Sequence, residues 1–260
     1  ILTKRDSILG ENTAISVIVK TGSLRNALGE VERQIEESKA PRKDQNGNVD
    51  VTKMYLPLKM VADDYTTNFT CNNKAQVTKV VESDGFEYAF SYAGDQLNKI
   101  VETERNAVTT YTFQQSGTNV TLNIKRVFNS QEYNGTVKLV VDSKGNLIND
   151  EDFTYSYDAN GNIVKMTTEY GDEVDFTYDT KNGVFKNLNL PKWVVAYILD
   201  YKPNMTNNAL SMIYESDEDP EDNMTSAIQY QYNADNYPVK MVASSNQEGT
   251  FTQTIEYTKK

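Results

Sequence analysis

The sequence predicts a mainly β protein: an antiparallel meander of β-hairpins forming a curled or barrel-like sheet, with one N-terminal helix and a short helix near residues 190–200. Three observations carry this. First, one phrase recurs: an alternating aromatic strand, a tight Asp/Asn/Gly turn, then a second alternating strand. Its clearest copy spans 153–170, where Phe153, Tyr155 and Tyr157 face one way, Thr154 and Ser156 the other, and Asp158-Ala159-Asn160-Gly161-Asn162 reverses the chain into Ile163. Period-two alternation flanked by such clusters is the signature of a hairpin. Second, 17 Tyr and 9 Phe stand against a single Trp in 260 residues, which suits strands that are greasy at the base and wet at the tip. Third, the pattern persists from residue 51 to the end, so residues 51–260 read as one antiparallel β-repeat domain.

The elements follow in order. Residues 1–50 differ from the rest and read as an N-terminal extension or small cap. Residues 14–20 (AISVIVK) form a short strand. Residues 23–39 form a helix, with Ser23 as N-cap, Leu24, Leu28, Val31 and Ile35 on one face, and Pro41 as terminator. Hairpins are then read at 86–103, where Phe86, Tyr88, Phe90 and Tyr92 share a face, at 111–124 around Ser116-Gly117-Thr118-Asn119, and at 137–146. Further ones fall at 153–170, 174–183 and 228–243, and Phe251, Ile255 and Tyr257 mark the last strand. One segment breaks the rhythm. Residues 193–199 are continuously apolar, unlike the half-exposed strands around them. With Pro191 in its first turn, a short helix is expected there; a buried strand is the alternative. A long meander must close or cover its edges. A barrel-like shell with the Trp193 helix plugging or flanking it is the first reading, a two-sheet sandwich the second. Outward positions rich in Thr, Ser, Gln, Glu and Lys argue against a lipid-facing barrel.

The Tyr-x-Tyr-Asp-x-x-Gly-Asn-Ile phrase at 155–163 resembles the tyrosine-aspartate (YD) repeat of large bacterial secreted shells. The strand–turn–strand units at 86–103, 153–170 and 228–243, the stretch 185–193 (FKNLNLPKW) and Asn207-Asn208 resemble a family of Bacteroides-type cell-envelope lipoproteins. That family is of unknown function, with a porin-like fold. The resemblance covers residues 60–260. It implies an extracytoplasmic location, periplasmic or at the cell surface, and a lipid anchor on a cysteine upstream of Ile1. It transfers no catalytic residue.

Composition narrows the chemistry. The net charge is −11, and an acidic surface repels phosphate backbones, so no nucleic-acid partner is expected. No apolar run approaches the roughly 20 residues of a membrane-spanning helix. Histidine is absent, which removes His-dependent triads and the commonest zinc ligand sets. Cys71 is the sole cysteine and reads as a small buried hydrophobe rather than a nucleophile. No catalytic residue is assigned, and the chain reads as a non-enzymatic structural or ligand-binding module. The alternatives are a carrier of a glycan or apolar ligand inside the shell and a glycoside hydrolase built on carboxylates alone. Trp193, Tyr197 and Tyr201, at i, i+4 and i+8, are the candidate stacking residues for a sugar; their bland reading is core. Asp217, Glu218, Asp219, Glu221 and Asp222 are the candidate metal ligands, for Ca²⁺, against the reading of a solvated acidic loop. The Asp158 turn lacks the spacing of a calcium loop, because Gly161 is at position four where position six is needed. No other cofactor is expected. A glycan or a cell-surface protein is the expected partner class.

Overall fold

The computed structural model describes residues 54–258 apart from Asp64, Glu218, Asp219 and Glu248. The strand and helix expected within residues 1–50 lie outside the described residues. The strands are β1 (Pro57–Ala62), β2 (Tyr65–Cys71), β3 (Val77–Glu82), β4 (Phe86–Ala93), β5 (Gln96–Glu104), β6 (Ala107–Ser116), β7 (Asn119–Phe128) and β8 (Gln131–Val141). The ring continues with β9 (Leu147–Asn149), β10 (Phe153–Tyr157), β11 (Ile163–Thr168), β12 (Glu173–Tyr178), β13 (Ala209–Glu215), β14 (Met224–Tyr232), β15 (Pro238–Ser245) and β16 (Gly249–Tyr257). Every strand pairs antiparallel with its neighbour in sequence, and β16 returns to β1 with Ile255 opposite Met60. The sheet is a closed barrel, so it has no edge to protect, and the sandwich alternative falls away. Among the described residues no helix is long and apolar enough to cross a membrane.

Since sequence neighbours are ring neighbours, successive turns alternate between two rims. We call upper the rim that carries the turns after β2, β4, β6, β8, β10, β12 and β14, and lower the opposite one. The period-two pattern sorts side chains between wall faces. Met60, Phe69, Val80, Phe90, Ile100, Leu122, Tyr155, Met166, Phe176 and Ile255 point inward and are buried. Their alternates point outward and carry ion pairs, including Lys79–Glu87 at 2.8 Å, Lys125–Glu132 at 2.7 Å and Lys165–Asp175 at 3.2 Å.

The upper rim gives the repeated phrase its physical meaning. In four turns the first residue, Asn72, Asp142, Asp158 or Asn233, uses its side-chain Oδ1 to accept the backbone N–H groups two and four residues on, at 2.8–3.1 Å. The fourth residue is left-handed each time, and glycine fits that position best: Gly161 has φ 86° and Gly145 φ 76°. The fifth residue, Gln76, Asn146, Asn162 or Tyr237, is buried. Tyrosines at the upper ends of β4, β10, β12 and β16 form a second device. Tyr92 donates its hydroxyl to Val77 O (2.7 Å), Tyr157 to Leu147 O (2.8 Å), Tyr178 to Ile163 O (2.7 Å) and Tyr257 to Pro238 O (2.9 Å). Each accepting carbonyl belongs to the residue that follows another hairpin's turn. The tyrosines therefore link hairpin to hairpin around the rim.

One turn is different. Asp179 and Asn208 make the closure that Asp158 and Asn162 make: Asp179 N–H donates to Asn208 O (3.0 Å), and Asn208 N–H to Asp179 Oδ1 (3.1 Å). Residues 180–207 are inserted between them and fold into the barrel as a plug. Val184, Phe185, Leu190, Trp193, Val194, Val195, Ala196, Leu199 and Met205 join the inward wall residues in one buried cluster. The expected short helix is a π-helical turn, Val194–Ile198, closed by Leu199 N–H to Val194 O (3.0 Å), with Pro191 just ahead of it. The turns grip this plug. Asn187 Nδ2 donates to Tyr237 Oη (2.7 Å), Asn189 N–H to Ala75 O (2.9 Å) and Lys192 Nζ to Asn146 Oδ1 (2.9 Å). Asn162 and Asn207 exchange two bonds at 3.0 Å.

Replacing Asn162 by Ala removes those two bonds and the one from its Nδ2 to Asp158 Oδ2 in a buried site. The expected loss is about 1–3 kcal/mol, read as a lower denaturation midpoint. The exposed Asn160→Ala in the same turn should stay within about 0.5 kcal/mol of the parent.

Candidate functional site

A concavity of the upper rim lies where the plug meets β4, β5 and β6. It is a cleft of about 540 Å³ lined by Tyr92, Asp95, Gln96 and Leu97 of one hairpin, Phe113 and Gln115 of β6, and Asn189, Leu190, Pro191 and Trp193 of the plug. Its base is aromatic: the Trp193 indole meets the Phe113 ring edge-on, with centroids 5.1 Å apart and planes at 82°. Its rim is polar and held in place. Asp95 accepts Lys74 Nζ at 2.6 Å and its carbonyl accepts Gln76 Nε2 at 3.1 Å. Gln115 Nε2 donates to Gly117 O (3.1 Å), and Asn189 Nδ2 to Lys74 O (3.1 Å). The site thus combines ring edges, amides and a carboxylate on a prearranged wall, a combination suited to a ligand with both apolar faces and hydroxyl groups.

The three aromatic residues singled out by spacing do not share a face. The π-helical turn ends at Ile198, and Asp200, with φ 55°, redirects the chain. Trp193 is buried, 2% exposed, against Phe113. Tyr197 is half-buried near the carboxylates of Asp150, Glu151 and Asp152. Tyr201 stacks on Phe185 at 4.7 Å in the interior. Only Trp193 lines the cleft. Phe113, Tyr92, Gln96 and Gln115 read in the sequence as ordinary strand and turn residues; nothing local marks them, because the plug brings them together.

Of the candidate calcium ligands, Glu218 and Asp219 lie outside the described residues. Asp217 sits beside the Asp172 turn, its N–H donating to Asp172 Oδ1 (3.1 Å), and Glu221 and Asp222 are exposed in a short 3-10 turn, Pro220–Asp222. Among the described residues no three His, Cys, Asp or Glu side chains gather as a metal site. In the Asp158 turn the carboxylate is engaged by the turn's own N–H groups. Cys71 is half-buried, and burial pushes its thiol up to about 12, which makes it a poor nucleophile at neutral pH.

A second polar group lies on the inner wall toward the lower rim. Tyr111 donates to Glu102 Oε2 at 2.5 Å, and Arg126 holds Glu104 Oε2 at 3.2 Å. Burial lifts the Glu82 carboxyl above its ordinary value; Asp84 and Glu102 add to the rise, and a hydrogen bond from Tyr65 opposes it. Burial likewise raises Tyr88, Tyr92, Tyr155, Tyr157, Tyr178, Tyr230 and Tyr257, and takes Tyr201 up to about 12.

No family model and no curated protein matches this sequence. Among solved structures, a porin-like protein from Bacteroides vulgatus has a TM-score of 0.43 at 10% identity, covering 78% of this chain and 99% of its own. A porin-like protein from Bacteroides uniformis has a TM-score of 0.44 at 13% identity, covering 78% of this chain and 96% of its own. The architecture and site of the present chain stand on its own geometry.

The raised tyrosines fix an alkaline limit. A phenol that stays neutral when folded but ionises near its ordinary value of about 10 when unfolded favours the native state below that pH, and the advantage is lost as pH rises through it. The denaturant midpoint is expected to hold from about pH 8 to about pH 9.5 and fall steeply above about pH 10. The phenolate absorbance of the buried tyrosines should appear together with unfolding rather than before it.

Proposed function

We propose that the protein is a non-enzymatic, extracytoplasmic binding module that holds a small glycan, one or two sugar rings, in the cleft beside Trp193. The observation that carries this reading is the pairing of the half-buried Phe113 and Tyr92 rings, backed by the buried Trp193, with the side chains of Gln96, Gln115 and Asn189 around one cleft of about 540 Å³. Sugar rings present apolar C–H faces to aromatic groups and hydroxyls to amides, so both halves of the wall have a role. Asp95, fixed by Lys74, adds an acceptor of defined position.

The outer wall supports a barrel bathed in water rather than lipid. Lys79, Lys125 and Lys165 each stand on that wall with acidic partners. A Lys on the lipid face of a membrane barrel costs up to about 2–4 kcal/mol at mid-depth. The extracytoplasmic placement and a lipid anchor rest on the resemblance of the repeat to cell-envelope lipoproteins, with residues 1–50 an N-terminal extension or small cap. A hydrolase built on carboxylates would use Glu82 and Glu102, the acidic residues of the inner wall whose charges influence each other; the Tyr111 hydrogen bond on Glu102 suits a structural role equally well.

The test is a titration with a panel of neutral and acidic mono- and disaccharides, followed by calorimetry. Saturable binding of at least one sugar is expected. Gln96→Ala, on an exposed rim residue, should weaken it about tenfold, or ~1.4 kcal/mol. Absence of binding across the panel would overturn the glycan reading, and hydrolysis of a bound sugar that vanishes in Glu82→Gln would overturn the non-enzymatic one.

A further inference from the structure

The plug does not fill the whole of the barrel interior. On the side facing β1, β14, β15 and β16, a cavity of about 190 Å³ remains between the plug and the wall. Its wall is apolar and soft: Met60, Met241 and Ile255 from the barrel, Val184 and Phe185 from the plug, and the Tyr201 ring that stacks on Phe185. Met60, Val184, Phe185 and Ile255 are each buried. The exposed Asp200, the half-buried Gln253 and the Tyr230 ring also border it, so polar groups that reach solvent meet an otherwise apolar lining. Asp200 is held in place there by its left-handed φ of 55° and its contact with Lys202.

We propose that this cavity is a binding site for a small aromatic molecule carrying one hydrogen-bond donor, of the size and chemistry of indole or phenol. Three features select that class. An apolar cavity of about 150 Å³ is already large enough to stay dry and take a benzene ring, and this one is larger. Methionine sulfur and aromatic rings both contact an aromatic guest favourably, with sulfur about 5 Å from the ring. The carboxylate of Asp200 and the amide oxygen of Gln253 in the lining are acceptors, available to the N–H or O–H of a guest. An aliphatic chain would forgo the ring contacts, and a sugar would leave its hydroxyls unpaired against Met60, Met241 and Ile255. The site is separate from the Trp193 cleft and shares no lining residue with it.

The test uses the intact protein labelled with ¹³C at its methionine methyl groups and titrated with indole. Met60 and Met241 line the cavity, whereas Met166 lies on β11 outside it. Saturable shifts at Met60 and Met241, with Met166 unmoved, are the expected result. No shift up to the solubility limit of indole, or equal shifts at all three, would overturn the proposal. Val184→Phe fills the cavity from the plug side, and a folded variant should lose at least tenfold in indole affinity; unchanged affinity would also overturn it. Should that variant not fold, the methyl titration of the parent protein decides alone. Because the readout uses no sugar, its outcome is independent of glycan binding at the rim.

Discussion

A ring of sixteen strands encloses more space than its own side chains can fill. Barrels of about eight strands are just filled by inward residues, and those of 16–18 strands leave an open lumen unless something occupies it. Above the polar group of its lower part this chain keeps its inner wall mostly apolar, and an apolar lumen full of water would forfeit the hydrophobic term that holds a β-sheet together. Residues 180–207 resolve the conflict by folding inward, and Trp193, Val194 and Ala196 become as buried as Ile100 or Leu122 on the wall. The closed ring, the polar exterior and the positions of both concavities follow from that filling. The rim cleft is where the plug enters, and the interior cavity is where it falls short of the wall.

The rim is what allows wall and plug to act as one body. Four of its turns satisfy their backbone with their own first side chain and bury their fifth residue. In several turns that buried residue is also a hand on the plug: Asn146 on Lys192, Asn162 on Asn207, Tyr237 on Asn187. Burial lowers the pKa of Lys192, with Asp142 opposing, so the cost of drawing an ammonium inward is offset by specific partners rather than by bulk water. The tyrosine hydroxyls bridge from hairpin to hairpin above the ladder hydrogen bonds. A ring of buried polar contacts thus stands on the upper rim, with the packed cluster of wall and plug beneath it.

Much of the architecture was legible in the sequence because it is written locally. Alternation at Phe153, Tyr155 and Tyr157 assigns a wall face, and Asp158-Ala159-Asn160-Gly161-Asn162 assigns a turn, both within a few residues. The apolar run 193–199 stood out because it lacked alternation, and it is indeed helical, wound as a π turn. What was not legible was every property that depends on closure. The i, i+4, i+8 spacing of Trp193, Tyr197 and Tyr201 assumed a helix that continues, whereas Asp200 ends the run and sends the three rings to three environments. The cleft residues Tyr92, Gln96 and Phe113 come from strands far from Trp193 in sequence, and no local pattern predicts that meeting. The roles of Asn207 and Asn208 were hidden for the same reason: Asn208 completes the turn begun at Asp179, and Asn207 docks on Asn162 of another hairpin.

The closure between Asp179 and Asn208 separates two kinds of inheritance within one chain. Because those residues complete the same small ring of bonds as an uninterrupted hairpin, strands β12 and β13 keep their alignment whatever lies between them. The circumference of the vessel is set by how many hairpins are strung together, and its contents by a single stretch that can lengthen, shorten or change character without moving a stave. In a vessel made this way the free space inside can be reshaped by substitutions in one short segment while the wall stays constant.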